Sequence, residues 1–180
     1  IYISGHPLDD FKFEMKYFCN VNLDQLKDLN PWIGRNLSFG GMISNVQFRT
    51  SAKGKDWATF SVEGYDESME FRMFNEEYLK FRHFLLNNTF VYFKILVKDG
   101  WVKKDTNEKS EPRLQFMEMK LLNEVIPTFA KKLIINIDVH ELKANQVEKI
   151  RMILNEHQGN KPVTFEVFEL EKIQKKIETE

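Results

Sequence analysis

Residues 37–48 read LSFGGMISNVQF, and the phase of their apolar positions decides the fold. Leu37, Phe39 and Ile43 share one parity of a two-residue repeat, whereas Val46 and Phe48 take the other, with Gly40, Gly41, Ser44 and Asn45 between them. Successive side chains of a strand address opposite faces, so a change of parity means that one extra residue has been inserted. The stretch therefore predicts a long, bulged strand that bends. A first strand of this kind, able to serve two sheets, is what a small closed barrel needs.

Downstream, this strand covers 37–49 and gives way to a polar loop, 50–55, that contains Gly54. Residues 57–63 alternate, with Ala58, Phe60 and Val62 on one face; residues 69–74 alternate again, with Met69, Phe71 and Met73 opposed to Glu70, Arg72 and Phe74. Asn75 is placed to cap a helix carrying Tyr78, Leu79, Phe81, Phe84 and Leu85, which Asn87 and Asn88 end. A fourth strand spans 90–98, with Val91, Phe93, Ile95 and Val97 facing one way, and a fifth runs from 113 to about 122. A long charged loop, 99–112, joins them, with Trp101 at its base. Three strands, a helix and a hairpin make the element order of the OB-fold, whose loops after strand one and between strands four and five flank the ligand face.

Upstream, Leu8, Phe11, Met15 and Phe18 repeat at helical spacing behind Pro7, and Asp9 and Asp10 suit a helix N-terminus. Leu23, Leu26 and Leu29 follow before Asn30-Pro31 stops the pattern. Beyond Pro127, residues 133–139 alternate, and a helix then carries Val147, Ile150, Ile153, Leu154 and His157, with Gly159 placed to close it. Residues 163–168 form one more strand, and the charge-rich stretch 169–180 reads as a helical tail. The expected fold class is mainly β with α: a helical lead-in over 1–34, a five-stranded OB-fold barrel over 35–126, and a small β-α-β unit over 127–180. That last unit is too small to bury both faces of a sheet, so it should lean on the barrel or on a partner.

Composition narrows the function classes. A net charge of -1 over 180 residues argues against a uniformly cationic nucleic-acid coat, so such binding would come from local clusters. One cysteine, Cys19, rules out an internal disulfide and a cysteine-based zinc site, and fits a reducing cytoplasm. No apolar run approaches the length of a membrane span, so no membrane partner is expected. The chain opens on Ile1 within IYISGHPL, which reads as an excised piece of a longer protein. His6, His83, His140 and His157 are scattered without metal-ligand spacing, Cys19 has no evident base, and no P-loop, nucleophile elbow or dinucleotide signature occurs. No catalytic residue, metal or cofactor is assigned, and Gly40-Gly41 reads as a strand kink in preference to a phosphate cradle.

Binding of single-stranded nucleic acid by an OB barrel needs a cationic track for phosphates and aromatic faces for bases. The first loop supplies Arg49, Lys53 and Lys55, with Trp57 following on the face opposite the core. The second supplies Trp101, Lys103 and Lys104, with Lys109 and Arg113 beyond, and Arg72 and Phe74 take the outward phase of strand three. Arg49, Lys53, Lys55, Arg72, Lys103 and Lys104 are the candidate phosphate contacts, and Trp57 and Trp101 the candidate stacking platforms. Against this, Asp56, Glu63, Glu70, Asp99, Asp105, Glu108 and Glu111 dilute the positive field, and loop charges are ordinarily just solvated. Two alternatives remain beside DNA binding: a protein-interaction module in which residues 162–180 dock a partner subunit, and an anticodon-type RNA-binding barrel.

The opening Tyr2-Ile3-Ser4-Gly5-His6-Pro7-Leu8, followed by Asp9-Asp10-Phe11, closely resembles the segment that precedes the OB domain in the alpha (catalytic) subunit of bacterial DNA polymerase III, a C-family replicative polymerase. Gly40-Gly41-Met42-Ile43 resembles that family's first barrel strand, Thr50 to Lys55 and Ala58-Thr59-Phe60 its lysine-rich loop and second strand, and Met69 to Phe74 its third. Residues 133–168 resemble the start of its C-terminal domain more loosely. The resemblance implies that the whole protein is a DNA-directed DNA polymerase, a nucleotidyltransferase of DNA replication in the cytoplasm. Its paired palm aspartates would lie upstream of this chain, which leaves the fragment without an active site. It further implies that the barrel holds the single-stranded template, and that the C-terminal part meets another replisome subunit such as the clamp loader tau subunit.

Overall fold

The computed structural model describes residues 5–102 and 109–169. Strand β1 (Asn36–Thr50) lies at the centre of a five-stranded antiparallel sheet. Its first half pairs with β4 (Thr89–Lys98) from Asn36↔Leu96 to Ile43↔Thr89, and its second half pairs with β2 (Asp56–Glu63) from Met42↔Glu63 to Thr50↔Asp56. The parity change has the predicted cause. Between Ser44 and Gln47 the register slips by one residue against β2, Asn45 takes φ 52°, and the Val46 N–H is held by Asn87 Oδ1 at 3.1 Å. The pairing runs without interruption through Gly40 and Gly41, so the glycines do not make the bend; they make room. A Cβ on Gly41 would stand 2.4 Å from Val62 Cγ1 and 2.7 Å from the Glu63 carbonyl, and one on Gly40 would meet Met15 Sδ at 2.5 Å. Both residues are buried, which excludes a phosphate cradle there.

Strand β3 (Ser68–Phe74) pairs with β2, and β5 (Arg113–Leu121) with β4, giving the order β3-β2-β1-β4-β5. The expectation of a closed barrel is corrected here: among the described residues β3 and β5 are edges with no backbone pairing between them. Side chains bridge them instead. Phe39, Phe60, Phe71, Phe93 and Phe116 converge in one buried cluster in which Phe71 of β3 meets Phe116 of β5 edge-on at 6.0 Å. Such ring pairs contribute about 0.5–1.5 kcal/mol each beyond their burial, enough to hold the curl of the sheet. Helix α2 (Asn75–Phe81) leans on the β5 edge, where Lys80 Nζ donates to the Met117 carbonyl at 3.1 Å.

Several local expectations are revised. Asn75 does not cap α2; it is the helix's first residue, at φ 51°, behind Phe74 at the N-cap. Leu79 points to solvent, while Tyr78, Phe81 and Leu85 are buried. Phe48 keeps the inward phase opposite Ala58, but it lies past the end of the core, 55% exposed and edge-on to Tyr78. After β5 comes α3 (Leu122–Phe129), a helix that contains Pro127, where the sequence suggested only a boundary. Leu122 and Val125 bury its inner face.

The lead-in breaks into a 3-10 turn, Pro7–Phe11, and helix α1 (Lys12–Phe18). His6 opens it: its Nδ1 accepts the Leu8 N–H at 3.1 Å, and its own N–H donates to Asp9 Oδ2 at 2.9 Å. Leu8 is fully buried, its carbonyl takes the Tyr65 hydroxyl at 2.9 Å, and the His6 and Tyr65 rings lie 4.8 Å apart. The His-Pro-Leu string is therefore a clasp that fastens the lead-in to the β2–β3 turn.

Contacts divide the chain into two units, Ile1–Thr128 and Phe129–Glu180. In the second, β6 (Leu133–Asp138) and β7 (Val163–Phe168) pair in parallel from Leu133↔Val163 to Asp138↔Phe168, joined by α4 (Ala144–Glu156). The helix ends at a His157 cap without a left-handed Gly159. None of this unit's described side chains is buried. The helical reading of residues 170–180 falls outside the described residues.

Candidate nucleic-acid interface

The outward face of β1, β2 and β3 is a set of rungs fixed by strand register. Arg49 stands opposite Trp57, and Trp57 opposite Phe74; one step along, Gln47, Thr59 and Arg72 align, and beyond them Ser61 meets Glu70. Directly opposed residues on one face of an antiparallel pair have Cβ atoms about 4.5–5.5 Å apart, so each rung is a contact row. The Trp57 and Phe74 rings stack at 5.2 Å and 20°, and the Arg49 guanidinium lies 5.6 Å from the Trp57 ring. Arg49 also donates to Gln47 Oε1 at 2.6 Å, which holds it along the strand. Arg49, Trp57 and Arg72 share a groove of ≈ 570 Å³.

Arg72 also borders a larger open cleft, ≈ 1340 Å³, between β3 and the base of the β4–β5 loop. Lys55, Phe74, Lys98, Trp101 and Arg113 line it. Trp101 is 58% exposed, and the Arg113 guanidinium sits 5.6 Å from its ring. The cleft is not uniformly positive, because Glu70, Glu76, Glu77 and Glu111 line it too. Arg72 Nη2 lies 3.5 Å from Glu70 Oε1 and Lys109 Nζ 2.8 Å from Asp99 Oδ2, both exposed pairs that contribute little to stability. Burial pushes the Glu77 carboxyl above the usual carboxylate range, while the adjoining Phe116 N–H and the charges of Arg113 and Lys98 pull it back.

The two loops differ in what holds them. The β1–β2 turn is pinned by Ser51 N–H to the Lys55 carbonyl at 2.9 Å and Lys55 N–H to Ser51 Oγ at 3.1 Å, with Gly54 at φ 72°. Across its base the Thr50 hydroxyl donates to Asp56 Oδ1 at 2.7 Å. The β4–β5 loop is tied by Ser110 N–H to the Trp101 carbonyl at 2.9 Å and by Trp101 N–H to Ser110 Oγ at 3.0 Å.

Of the residues singled out from sequence, Arg49, Trp57 and Arg72 share the strand face, and Lys55, Arg72 and Trp101 share the cleft. Lys53 is exposed at the turn and borders neither. Lys103 and Lys104 lie outside the described residues. Sequence reasoning put Phe74 on the outward face without giving it a stacking role, and it passed over Lys98. The signal for both was available, since each is the outward residue at the end of a strand beside a loop already under suspicion. A separate hollow of ≈ 470 Å³ under the lead-in borders Cys19. Burial pushes that thiol up to about 12, so it is no nucleophile.

No family model matches the chain. It is similar to DNA polymerase III subunit alpha of Pseudomonas aeruginosa, 22% identical over 92% of this chain and 13% of that protein. The same subunit of Saccharopolyspora erythraea is 23% identical over 91% of this chain and 13% of its own length, and that of Borreliella burgdorferi 29% identical over 50% and 8%. The chain thus spans about an eighth of the first two relatives. Among solved structures, a lipoprotein from Klebsiella pneumoniae aligns over 62% of this chain and 86% of its own at a TM-score of 0.34 and 11% identity, a likeness too slight to bear on the fold. What the sequence comparison gives is similarity to DNA polymerase III alpha subunits along most of this chain.

Proposed function

We propose that this chain is the OB-containing part of a replicative DNA polymerase alpha subunit and holds single-stranded DNA weakly during replication, without catalytic residues of its own. The observation that carries the reading is the in-register row Arg49–Trp57–Phe74 beside Arg72: stacked, solvent-facing aromatic rings with cations on the same rigid sheet. Sequence-tolerant strand binding needs that combination and no fixed motif. Bases stack on Trp57 and Trp101; Arg49, Lys53, Lys55, Arg72, Lys103 and Lys104 meet phosphates. Similarity to the alpha subunits supplies the replication context.

Fluorescence anisotropy of labelled oligo-dT and of the matching RNA, each at two salt concentrations, tests this. Binding that prefers DNA, weakens steeply with salt, and drops in Lys53→Glu and Trp101→Ala supports the reading. No binding at low salt sinks it, and a preference for RNA moves the five-stranded sheet to the anticodon-binding class. One observation favours a second reading, docking of another replisome subunit such as clamp loader tau. In the Phe129–Glu180 unit, Val147, Ile153, Phe165 and Val167 are each 45–61% exposed. Titration of the chain with purified tau by calorimetry, with Phe165→Asp as control, decides that point.

A further inference from the structure

The strand-binding reading leaves one feature of the cleft without a role. Lys98, the last residue of β4, stands directly opposite Arg113, the first of β5, and both line the cleft. Like charges directly opposed across two strands are destabilising. Of the other cations lining the cleft, Lys109 is compensated by Asp99 and Arg72 by Glu70, whereas among the described residues Lys55, Lys98 and Arg113 have no ion-pair partner within 4.0 Å, and only Lys98 and Arg113 stand directly opposite one another. Glu77 lines the same cleft, and the charges of Arg113 and Lys98 both act on its carboxyl. Two opposed, unpaired cations stand at the mouth of a cleft, with an exposed indole 5.6 Å from one of them.

We propose that Lys98 and Arg113 clamp one phosphodiester of a bound single strand between them, and that the adjoining base stacks on Trp101. This deepens the strand-binding reading and rests on it. A single phosphate takes its two anionic oxygens to two different donors: the ammonium of Lys98 as a point charge, and the guanidinium of Arg113 as a planar fork. Glu77 sets the strength of the clamp, because its charge offsets part of the field that draws the phosphate in.

The test is the salt dependence of oligo-dT affinity for the whole chain and for Lys98→Gln, Arg113→Gln, the double variant and Glu77→Gln. Each phosphate contact on a single strand contributes about 0.7 to the log-log slope, equivalent to about fivefold in affinity at about 0.1 M salt. A shared phosphate makes the substitutions non-additive: each single variant and the double variant lose the same increment of slope. Glu77→Gln, which removes that negative charge, binds more tightly than the parent. Additive slope losses would mean two separate phosphates, and unchanged slopes in a chain that still responds to Trp57→Ala would mean none; either overturns the clamp while leaving strand binding intact. Displacement of the oligonucleotide by millimolar inorganic phosphate at matched ionic strength would assign the pair to a free anion and overturn it as well. Absence of any oligo-dT binding by the parent chain removes the strand-binding reading and the clamp together.

Discussion

Removing the indole of Trp57 tests the strand face most directly. A base stacked on an aromatic side chain gains about 1–3 kcal/mol. Trp57 is not vacant, however: Phe74 stacks against it at 5.2 Å and Arg49 lies 5.6 Å from its ring. A base that takes Arg49's place forfeits a cation–π contact of about 0.5–1 kcal/mol at an exposed site. The net contribution is then about 1–2 kcal/mol, so Trp57→Ala should weaken oligo-dT binding by about 5- to 30-fold at constant salt. Phe74, 46% exposed, carries no cation among the described residues, so Phe74→Ala should cost at least as much. Anisotropy titration measures the change, and a thermal melt of each variant separates lost binding from lost fold. Unchanged affinity in both variants, with both still folded, refutes the stacking platform.

Three further outcomes follow from the packing and the titration behaviour. Gly41→Ala places a methyl against Val62 Cγ1 and the Glu63 carbonyl, the latter backbone that cannot step aside; it should cost about 1–3 kcal/mol and lower the melting temperature by several degrees, and an unchanged melt would contradict the close approach. Tyr65→Phe deletes the hydrogen bond to the Leu8 carbonyl, worth about 0.5–1.5 kcal/mol. Amides of Leu8 and α1 should then exchange faster with deuterium while β1 to β5 keep their protection, and uniform exchange would refute a local clasp. Glu77, whose carboxyl is held above its ordinary range by burial, binds its proton more tightly when the chain is folded. Its stabilising contribution is complete below the unfolded pKa and lost as pH rises through the folded one. Glu77→Gln should therefore melt higher than the parent at neutral pH, with the gap closing toward acid; a gap that is constant with pH refutes the assignment.

The strands were legible because their signal is local. Alternation at Ala58-Phe60-Val62 and Val91-Phe93-Ile95-Val97 specifies which face is buried whatever the partner, and the parity change between Ile43 and Val46 located the bulge to within a residue. The open edge between β3 and β5 was not legible, since pairing of strands some forty residues apart depends on how far the whole sheet curls. Helix α3 was missed because its apolar positions, Leu122 and Val125, directly continue a strand, and Pro127 reads as a stop although it stands inside the helix. Asn75 looked like a cap because its side chain suits one; the chain uses its tolerance of positive φ instead. The strand-face candidates emerged because outward phase can be read from alternation. Lys98 was not legible as a site residue because its placement opposite Arg113 is fixed by the β4–β5 register, which slips by one residue between Lys94 and Ile95.

Charge bookkeeping over the whole site limits what it can do. The sequence offers six candidate phosphate contacts, Arg49, Lys53, Lys55, Arg72, Lys103 and Lys104. The structure withdraws some cations from that count and adds others. Arg72 is shared with Glu70, and Lys109 is held by Asp99. Lys53 and Lys55 keep no ion-pair partner among the described residues, Arg49 is held by the neutral Gln47 and the Trp57 ring, and Lys98 and Arg113 act on one phosphate if the clamp is correct. On the strand-binding proposal, Arg49, Lys53, Lys55 and the clamp make about four contacts and a slope of about -3. On that proposal, so few contacts grip DNA only when something else keeps the strand nearby, because tethering raises its effective concentration. A measured slope much steeper than -3 would mean that further cations have been drawn in, and Lys103 and Lys104 are the first to substitute.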